Sequence, residues 1–364
     1  VKENTYWLED YSLYMALKFY FGGIEWDQWE DEIRMHKKSA VAHYTKLLQS
    51  EIGFWKFCQY KFYSQWKKLK KYANKKDIKI IGDIPLYMAL DSADVWAHGE
   101  LFELDERKKP IHVAGVPPDC FSEDGQLWGN PIYNWKKMEH TGFAWWYQRM
   151  RSNANLYDVI RIDHFIGIVN YWSIPADSQT AINGKWKKGP GKKLTKVIKK
   201  ATKGASIIAE DLGVVGDNVR ALIQKTGWPG MKILLFAFDD ENGANEYLPH
   251  NYASENCIVY GGTHDNDTIV GYYKEKSDEE IKFVKQYLGI SKKEDLPRAM
   301  IRCGYASIAK TAVFQMQDIL ALDNSARMNC PSTVGTNWKW RMLPNQFTAD
   351  HIRFLKKMCR LYNR

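Results

Sequence analysis

Cysteine is scarce in this sequence, with 6 residues in 364, and no two of them are close enough to form a C-x-x-C pair. This spacing argues against a cysteine-based metal site or redox motif. Scattered cysteines in so long a chain are typical of the reducing cytosol, so we predict a cytoplasmic protein. No run is long and apolar enough to span a membrane, and the chain opens at Val1 without a signal-type apolar segment. We therefore expect no membrane partner.

Nucleotide-binding and nucleic-acid-binding motifs are also missing. There is no G-x-G-x-x-G, and in the nearest P-loop candidate, "GKWKKGPGKKLT", Pro190 stands where lysine is needed. No zinc-finger spacing, basic zipper or aromatic RNA-binding signature occurs. The net charge of +9 comes largely from lysine runs at 65–76 and 184–204. Such runs are more typical of a solvated surface, so we predict no nucleic-acid partner and keep nucleic-acid binding as a remote alternative.

Short, continuously apolar runs alternate with helical patterns along the chain. Continuous rather than alternating hydrophobicity is typical of parallel strands that are covered on both faces, and the alternation with helices predicts an α/β fold. The six predicted strands are Ile78–Leu86, Tyr157–Phe165, Ala205–Gly213, Met231–Asp240, Cys257–Asp267 and Thr311–Leu320.

An acidic residue follows the apolar part of every run: Asp83, Asp163, Glu210, Asp239, Asp265 and Asp318. In a parallel barrel all strands end at one mouth, where the active site lies. Because the glycine-rich turn of a doubly wound sheet is missing, we predict a (β/α)8 TIM barrel. Six strands fall short of eight, so we expect the chain to lack the first barrel strands. Two overlooked short strands are the alternative.

The predicted organisation has two parts. Residues 1–76 read as a mainly helical subdomain, with helices expected at 5–22 and 52–74. Residues 77–364 form the barrel portion, with an irregular insertion at about 91–155 that is too long for a plain strand-to-helix connection. That insertion contains "AGVPPDCFSEDGQLWGNPIYNW", rich in Gly, Pro and aromatic residues. A loop of this kind above a barrel mouth shapes a binding site, or forms an irregular subdomain edge.

Three strand ends carry the candidate chemistry, and each has a structural alternative. Asp163 lies two residues after Arg161, so both side chains point the same way from a strand. An aspartate kept ionised by the guanidinium is a candidate nucleophile, or the pair merely fixes the strand end. Glu210 follows three apolar residues, a setting that keeps a carboxyl protonated as a general acid must be, with Asp211 reinforcing the effect by repulsion. The alternative role for Glu210 is a helix cap.

Asp265 lies in "GGTHDNDT", where Asp and His side chains could bind hydroxyl groups or close an Asx-type turn. The ligand spacing does not fit a metal site, and we predict no metal. Two carboxyl groups of unlike pKa across one pocket are what glycoside chemistry requires. The charged end of the strand "DVIRIDHF" is therefore interpreted as the wall of an active site.

The motifs "RIDHF", "AEDLG" and "THDND", in this order, resemble the α-amylase clan. The longer strings "GDIPLYMALDSADVWA", "GVPPDCFSEDGQLWGNPIYNW", "FAFDDEN" and "ARMNCPSTVGTNWKWRM" resemble the amylomaltase (4-alpha-glucanotransferase, disproportionating enzyme) family from about residue 5 to the C-terminus. The resemblance implies a retaining double displacement on α-1,4-glucans without a metal or organic cofactor. Donor and acceptor would both be maltooligosaccharides, and the acceptor hydroxyl would be taken in preference to water.

The resemblance also implies residue roles. Asp163 would be the nucleophile, Glu210 the acid/base and Asp265 the stabiliser of the transition state. Arg161 would hold Asp163 ionised, while His164 and His264 would bind the glucose at the reaction centre. Further glucan contacts are implied at Asp83, Asp119, Trp128, Asp239 and Asn337.

The sequence departs from the family pattern at three places. Cys120 replaces a tyrosine of the acceptor loop, which bears on acceptor binding and product size, and Ser332 replaces a glycine. The family's N-terminal segment, with the first strands and a Ser-Pro-Tyr loop, is expected to be absent, in agreement with the strand count. Two functional alternatives remain open: an α-glucan hydrolase of the same clan, which uses the same three acids, and an inactive glucan-binding relative.

Overall fold

The structure is a computed structural model and describes residues 4–118, 122–213, 215–238, 243–274, 276–331 and 333–364. The chain divides into two compact units, Val1–Thr226 and Gly227–Arg364. Among the described residues, no helix combines the length and the apolar character needed to cross a bilayer.

The first unit opens with helices: α1 (Thr5–Tyr20), α2 (Asp31–Arg34), α3 (Lys38–Leu47) and α4 (Gln49–Asn74). The first and last of these confirm the helices predicted at 5–22 and 52–74. They pack on each other, and buried Leu13, Leu17 and Ile33 contribute to the apolar interior. Trp26 anchors this region to the following segment, because its Nε1 donates to the carbonyl oxygen of Leu90 at 2.6 Å.

The remaining helices of the first unit are α5 (Ala93–Ala97), α6 (Trp135–His140), α7 (Ala144–Leu156), α8 (Ile166–Val169), α9 (Lys192–Ala201) and α10 (Asp217–Thr226). Its strands are β1 (Ile81–Ile84), β2 (His112–Val116), β3 (Gln126–Pro131), β4 (Val159–Ile162), β5 (Asn170–Pro175), β6 (Lys185–Lys188) and β7 (Ser206–Ala209). They form two sheets of different character.

The first sheet is parallel, in the order β1-β4-β7. Its register places Asp83 beside Arg161, and Ile162 beside Ala209. Ile160 and Ile162 are fully buried, as the continuous apolar pattern of these runs predicts for a sheet covered on both faces. Three predicted strands are thus confirmed.

The second sheet is antiparallel, in the order β3-β2-β5-β6. Two of its strands, β2 and β3, lie in the 91–155 segment, which was predicted to be irregular. β3 and β6 were not predicted because β3 contains Gly129 and Pro131 and β6 contains three lysines, all poor indicators of a strand.

The second unit contains a three-stranded parallel sheet in the order β10-β9-β8. The strands are β8 (Gly230–Ile233), β9 (Cys257–Tyr260) and β10 (Thr311–Val313), and they confirm the other three predicted strands. The helices are α11 (Ile269–Lys274), α12 (Lys282–Leu288), α13 (Leu296–Ala306), α14 (Met316–Ile319) and α15 (Ala349–Tyr362). The α/β class is therefore confirmed, whereas the strand pairings of the described residues do not by themselves close a barrel.

Candidate active site

A buried arginine joins two carboxylates at the ends of β1 and β4. Nη1 of Arg161 donates to Oδ2 of Asp83 at 2.5 Å, and its Nη2 lies 2.9 Å from Oδ1 of Asp163. Burial by itself lowers the pKa of Arg161, but the carboxylates of Asp83 and Asp163 outweigh burial and raise it. The strand spacing thus places Arg161 and Asp163 on one side, as predicted. The guanidinium also fixes Asp83. The sequence alone did not indicate that Asp83 pairs with Arg161.

Glu210 directly follows β7, and its side chain is buried. Its carboxylate accepts two main-chain N–H bonds, from His164 to Oε2 at 2.6 Å and from Leu212 to Oε1 at 2.7 Å. Burial and the negative charge of Asp163 raise the pKa of Glu210 to about 7, although Arg161 and the two N–H bonds lower it. A carboxyl with this pKa can act as an acid and as a base near neutral pH.

Two details of the Glu210 prediction need correction. The next helix begins only at Asp217, so Glu210 does not cap it. The largest charge effect that raises its pKa comes from Asp163, which the sequence did not indicate as a neighbour. The reason is that β4 and β7 are neighbours in the sheet, which brings the end of one strand to the end of the other.

His164 occupies a left-handed backbone conformation, with φ of +52°. This sharp turn allows its N–H to reach Glu210. Burial lowers the pKa of the imidazole to about 4, so the ring is neutral at neutral pH. Its Nε2 is buried and has no hydrogen-bond partner among the described residues. A neutral ring nitrogen of this kind can donate to or accept from a sugar hydroxyl.

Trp128 packs against His164 from the antiparallel sheet. The two ring centroids are 4.8 Å apart in an edge-to-face arrangement, and Tyr87 lies 6.3 Å from the Trp128 ring. Nε1 of Trp128 donates to Oε1 of Gln126 at 3.1 Å, which fixes the indole. Tyr87, a buried residue four positions after Asp83, was not predicted from the sequence. The only sequence feature that could have indicated Tyr87 is its place in the string "GDIPLY".

In the second unit, the loop Thr263–Thr268 after β9 carries the third acid. Oδ1 of Asp265 accepts a hydrogen bond from Nδ2 of Asn329 at 2.6 Å, and Nε2 of His264 lies 3.3 Å from its Oδ2. The turn itself is closed by Asn266, whose Oδ1 accepts from both the N–H and the hydroxyl of Thr263. Closing the turn was the alternative role for Asp265, and Asn266 performs it. The side chain of Asp265 bonds to a different segment of the chain.

That segment supplies contacts that were not predicted from the sequence. Nη2 of Arg327 donates to the carbonyl oxygen of Asp265 at 2.6 Å, and its Nη1 pairs with Asp267. The ring of Trp338 lies 5.0 Å from that of His264, and about half of its side chain is exposed. The string "ARMNCPSTVGTNW" contained these residues without showing their partners.

Four predicted positions differ from the expectation or lie outside the described residues. Asn337 bonds within its own loop: Nδ2 donates to the carbonyl oxygens of Cys330 and Thr333, and Oδ1 accepts from the Cys330 N–H. Asp318, predicted to follow a strand as a mouth acid, lies buried in α14 and accepts the N–H of Ile269. Asp119 and Asp239 fall outside the described residues.

The first unit thus brings together Asp83, Arg161, Asp163, His164, Glu210 and Trp128, and the second pairs His264 with Asp265. In the first unit, an ion-paired aspartate and a buried glutamate with a raised pKa lie at the ends of adjacent strands, in settings that suit a nucleophile and a general acid. No group of three or more metal-ligating side chains occurs within the part of the chain that the structure describes.

A profile of the 4-alpha-glucanotransferase family matches residues 1–346. The chain belongs to the 4-alpha-glucanotransferase family. A 4-alpha-glucanotransferase of Clostridium butyricum is 47% identical over 366 residues, covering 100% of this chain and 75% of the relative. The Thermus thermophilus 4-alpha-glucanotransferase is 45% identical, covering 98% and 72%.

A solved family structure agrees with the fold. The amylomaltase of Streptococcus agalactiae, in complex with acarbose, superposes with a TM-score of 0.95 at 42% identity. The match covers 100% of this chain and 73% of that one. The resemblance stated from the motifs is therefore confirmed.

Proposed function

We propose that this member of the 4-alpha-glucanotransferase family transfers α-1,4-glucan segments between maltooligosaccharides by a retaining double displacement. The proposal rests on one observation: two carboxyl groups in unlike environments lie at the ends of adjacent strands. Asp163 is ion-paired with Arg161, whereas Glu210 is buried with a pKa of about 7. One group is suited to attack and the other to proton transfer.

In the first step, protonated Glu210 gives its proton to the glycosidic oxygen while the Asp163 carboxylate attacks the anomeric carbon. The bond to the leaving glucan breaks, and a covalent glucosyl–Asp163 ester forms. In the second step, ionised Glu210 takes the proton of an acceptor 4-hydroxyl, whose oxygen attacks the anomeric carbon and releases Asp163. Asp265 would stabilise the positive charge that develops on the sugar ring in both steps.

The proposed substrate contacts keep the residues chosen from the sequence: Arg161, His164, His264, Asp83, Asp119, Trp128, Asp239 and Asn337. Nε2 of His164, which has no partner within the described part of the chain, supports a hydroxyl contact, and the fixed indole of Trp128 supports stacking on a sugar ring. For Asn337 the bonds within its loop favour a contribution through loop shape.

We also propose that the parallel strands belong to a (β/α)8 barrel, as the similarity to the amylomaltase fold supports. In a barrel of this kind the active site lies at the mouth formed by the carboxyl ends of the strands. The described residues provide six parallel strands toward the eight of a barrel. The division at residue 76 and the cytoplasmic location remain predictions.

Incubation with maltotriose, followed by separation of the products by length, tests the transferase activity. A ladder of longer maltodextrins together with glucose is expected, and Asp163→Asn should abolish it. Glucose and maltose without longer products would show hydrolysis and refute transfer. Binding of maltodextrins by a folded protein that forms no products would favour the non-catalytic alternative.

A further inference from the structure

One segment of the second unit supports the loop that carries Asp265. We call residues 318–329 the brace segment. Oδ1 of Asp318 accepts the N–H of Ile269 at 2.7 Å, and Oδ1 of Asn324 accepts the N–H of Thr268 at 3.1 Å. These bonds hold the end of the loop and the start of α11. Together with Arg327 and Asn329, they supply loop contacts from side chains about 50 to 64 positions away in the sequence.

Asn329 differs from the other brace residues in what it contacts. Its Nδ2 donates to the carboxylate of Asp265 at 2.6 Å, whereas Asp318 and Asn324 bond to main-chain N–H groups. Its own N–H donates to the carbonyl oxygen of His264 at 3.1 Å. Asn329 therefore holds both the main chain before Asp265 and one oxygen of the side chain.

The chemistry of this contact suits a carboxylate that must remain negative. An amide N–H₂ donates a hydrogen bond but carries no charge, so it fixes the Asp265 oxygen without neutralising it. Arg327, the nearby cation, bonds instead to the main-chain oxygen of Asp265 and to the carboxylate of Asp267. Asp265 therefore meets a neutral donor at Oδ1, while Asp163 meets a guanidinium.

We propose that Asn329 is a positioning residue that sets the side-chain conformation of Asp265 for stabilising the transition state. This inference rests on the proposed role of Asp265. A carboxylate stabilises developing charge most when it is held in place before the reaction, because no reorganisation is then needed. Loss of the Asn329 donor removes the bond that fixes Oδ1 of Asp265, so it lowers kcat more than it raises KM.

Two substitutions at this position separate positioning from general damage. Asn329→Ala removes the donor at every pH. Asn329→Asp preserves the shape and replaces the amide by a carboxyl that donates only when protonated. The charged and titratable groups around it are His264, Asp265, Asp267 and Arg327. Asn256→Asp is the matched control, because Asn256 bonds to the carbonyl oxygen of Gly227 at the other end of β9.

The expected loss of kcat is on the order of 10- to 100-fold for both variants near neutral pH, the range typical of a hydrogen bond to a charged group. As pH falls toward about 5, the activity of Asn329→Asp relative to wild type should rise, since the introduced carboxyl becomes a donor again. Asn329→Ala should show a constant deficit, and Asn256→Asp should match wild type. Equal, pH-independent losses in both Asn329 variants would overturn the proposal.

Crystal structures of wild type and Asn329→Ala provide a readout that does not depend on activity. The proposal predicts that the Asp265 carboxylate leaves its wild-type rotamer in the variant. An unchanged rotamer would refute positioning, whatever the activity. An inactive wild-type protein would refute the proposed function, and the comparison of rotamers would still decide the role of Asn329.

Discussion

The backbone N–H of His164 donates a hydrogen bond to Oε2 of Glu210 at 2.6 Å. This bond connects the turn after β4 to the end of β7. Asp163 is the first residue of that turn, and its own N–H donates to the carbonyl oxygen of Ile84 at 2.9 Å. Main-chain donors thus fix both groups: one anchors the backbone of the proposed nucleophile, and the other holds the carboxylate of the proposed acid/base.

Transfer activity is expected to decline as pH rises through about 7. The pKa of Glu210 is raised to about 7, and the protonated form supplies the proton of the first step. Initial rates with maltotriose across the pH range measure this decline, the alkaline limb of the pH profile. Maltosyl fluoride is the control substrate, because fluoride leaves without needing a proton. Activity on this substrate should therefore not decline as pH rises through about 7. An alkaline limb centred below about pH 5.5 with maltotriose would contradict the role of Glu210.

Arg161→Lys is expected to lower kcat on the order of 100-fold. A lysine carries the charge but cannot hold Asp83 and Asp163 together as the planar guanidinium does. In Arg161→Ala the alkaline limb should also move to higher pH, because Arg161 lowers the pKa of Glu210. Arg298→Lys is the matched control, because Arg298 forms an exposed ion pair with Asp350. A loss below about threefold in Arg161→Lys would show that the two-carboxylate contact is dispensable.

Trp128→Ala is expected to raise KM for maltodextrins by about tenfold, and Trp128→Phe by less. The indole packs against His164 and offers a fixed apolar face, part of which phenylalanine retains. Steady-state kinetics with maltotriose measure the effect. Trp186→Ala, at a half-exposed position on β6, should leave KM unchanged. Equal KM values for wild type and Trp128→Ala would rule out a sugar contact at the indole.

Asp318 makes the stability of the second unit depend on pH. Burial raises its pKa to about 7, although the bond from Ile269 lowers it, and Oδ2 has no partner among the described residues. Between about pH 4 and 7 the folded state therefore binds more protons than the unfolded state, so the free energy of unfolding falls as pH rises. Asp318→Asn retains an acceptor for Ile269 and removes this decline.

Urea denaturation of wild type and Asp318→Asn at about pH 5 and pH 8 measures this effect. The variant should gain free energy of unfolding relative to wild type at the higher pH. Asp350→Asn serves as the control, because Arg298 lowers the pKa of that exposed carboxyl and it is ionised at both pH values. If the difference in free energy of unfolding between Asp318→Asn and wild type does not change with pH, the raised pKa of the buried Asp318 carboxyl is contradicted.

The parallel strands were predictable because each is a continuous apolar run that ends in a charged group. The antiparallel sheet was not, since a strand such as "KWKK" owes its conformation to pairing with β5 rather than to its own composition. Arg161 and Asp163 were predictable as a pair because they lie two residues apart on one strand. Their third partner, Asp83, is 78 residues away from Arg161 and required the register of β1 on β4.

The burial of Glu210 could be predicted from the apolar residues before it, but not the charge that acts on it. Sequence proximity indicated Asp211, whereas strand order brings Asp163 close. The same limit applies to Asn329, which lies 64 residues after Asp265. Contacts of this kind arise only from the fold, so the acids and Arg161 could be selected from the sequence, whereas the contacts of Asp83 and Asn329 could not.

Mass spectrometry of a trapped intermediate tests the central claim most directly. In Glu210→Gln, maltosyl fluoride can still glycosylate the nucleophile, but no base remains to activate the acceptor, so the ester should accumulate. Rapid acid quench and peptide mapping are expected to find one maltosyl group on the peptide that contains Asp163. Glu210→Gln combined with Asp163→Asn should give none. A maltosyl group on another residue, or fluoride release without any covalent adduct, would contradict the assignment of Asp163 as the nucleophile.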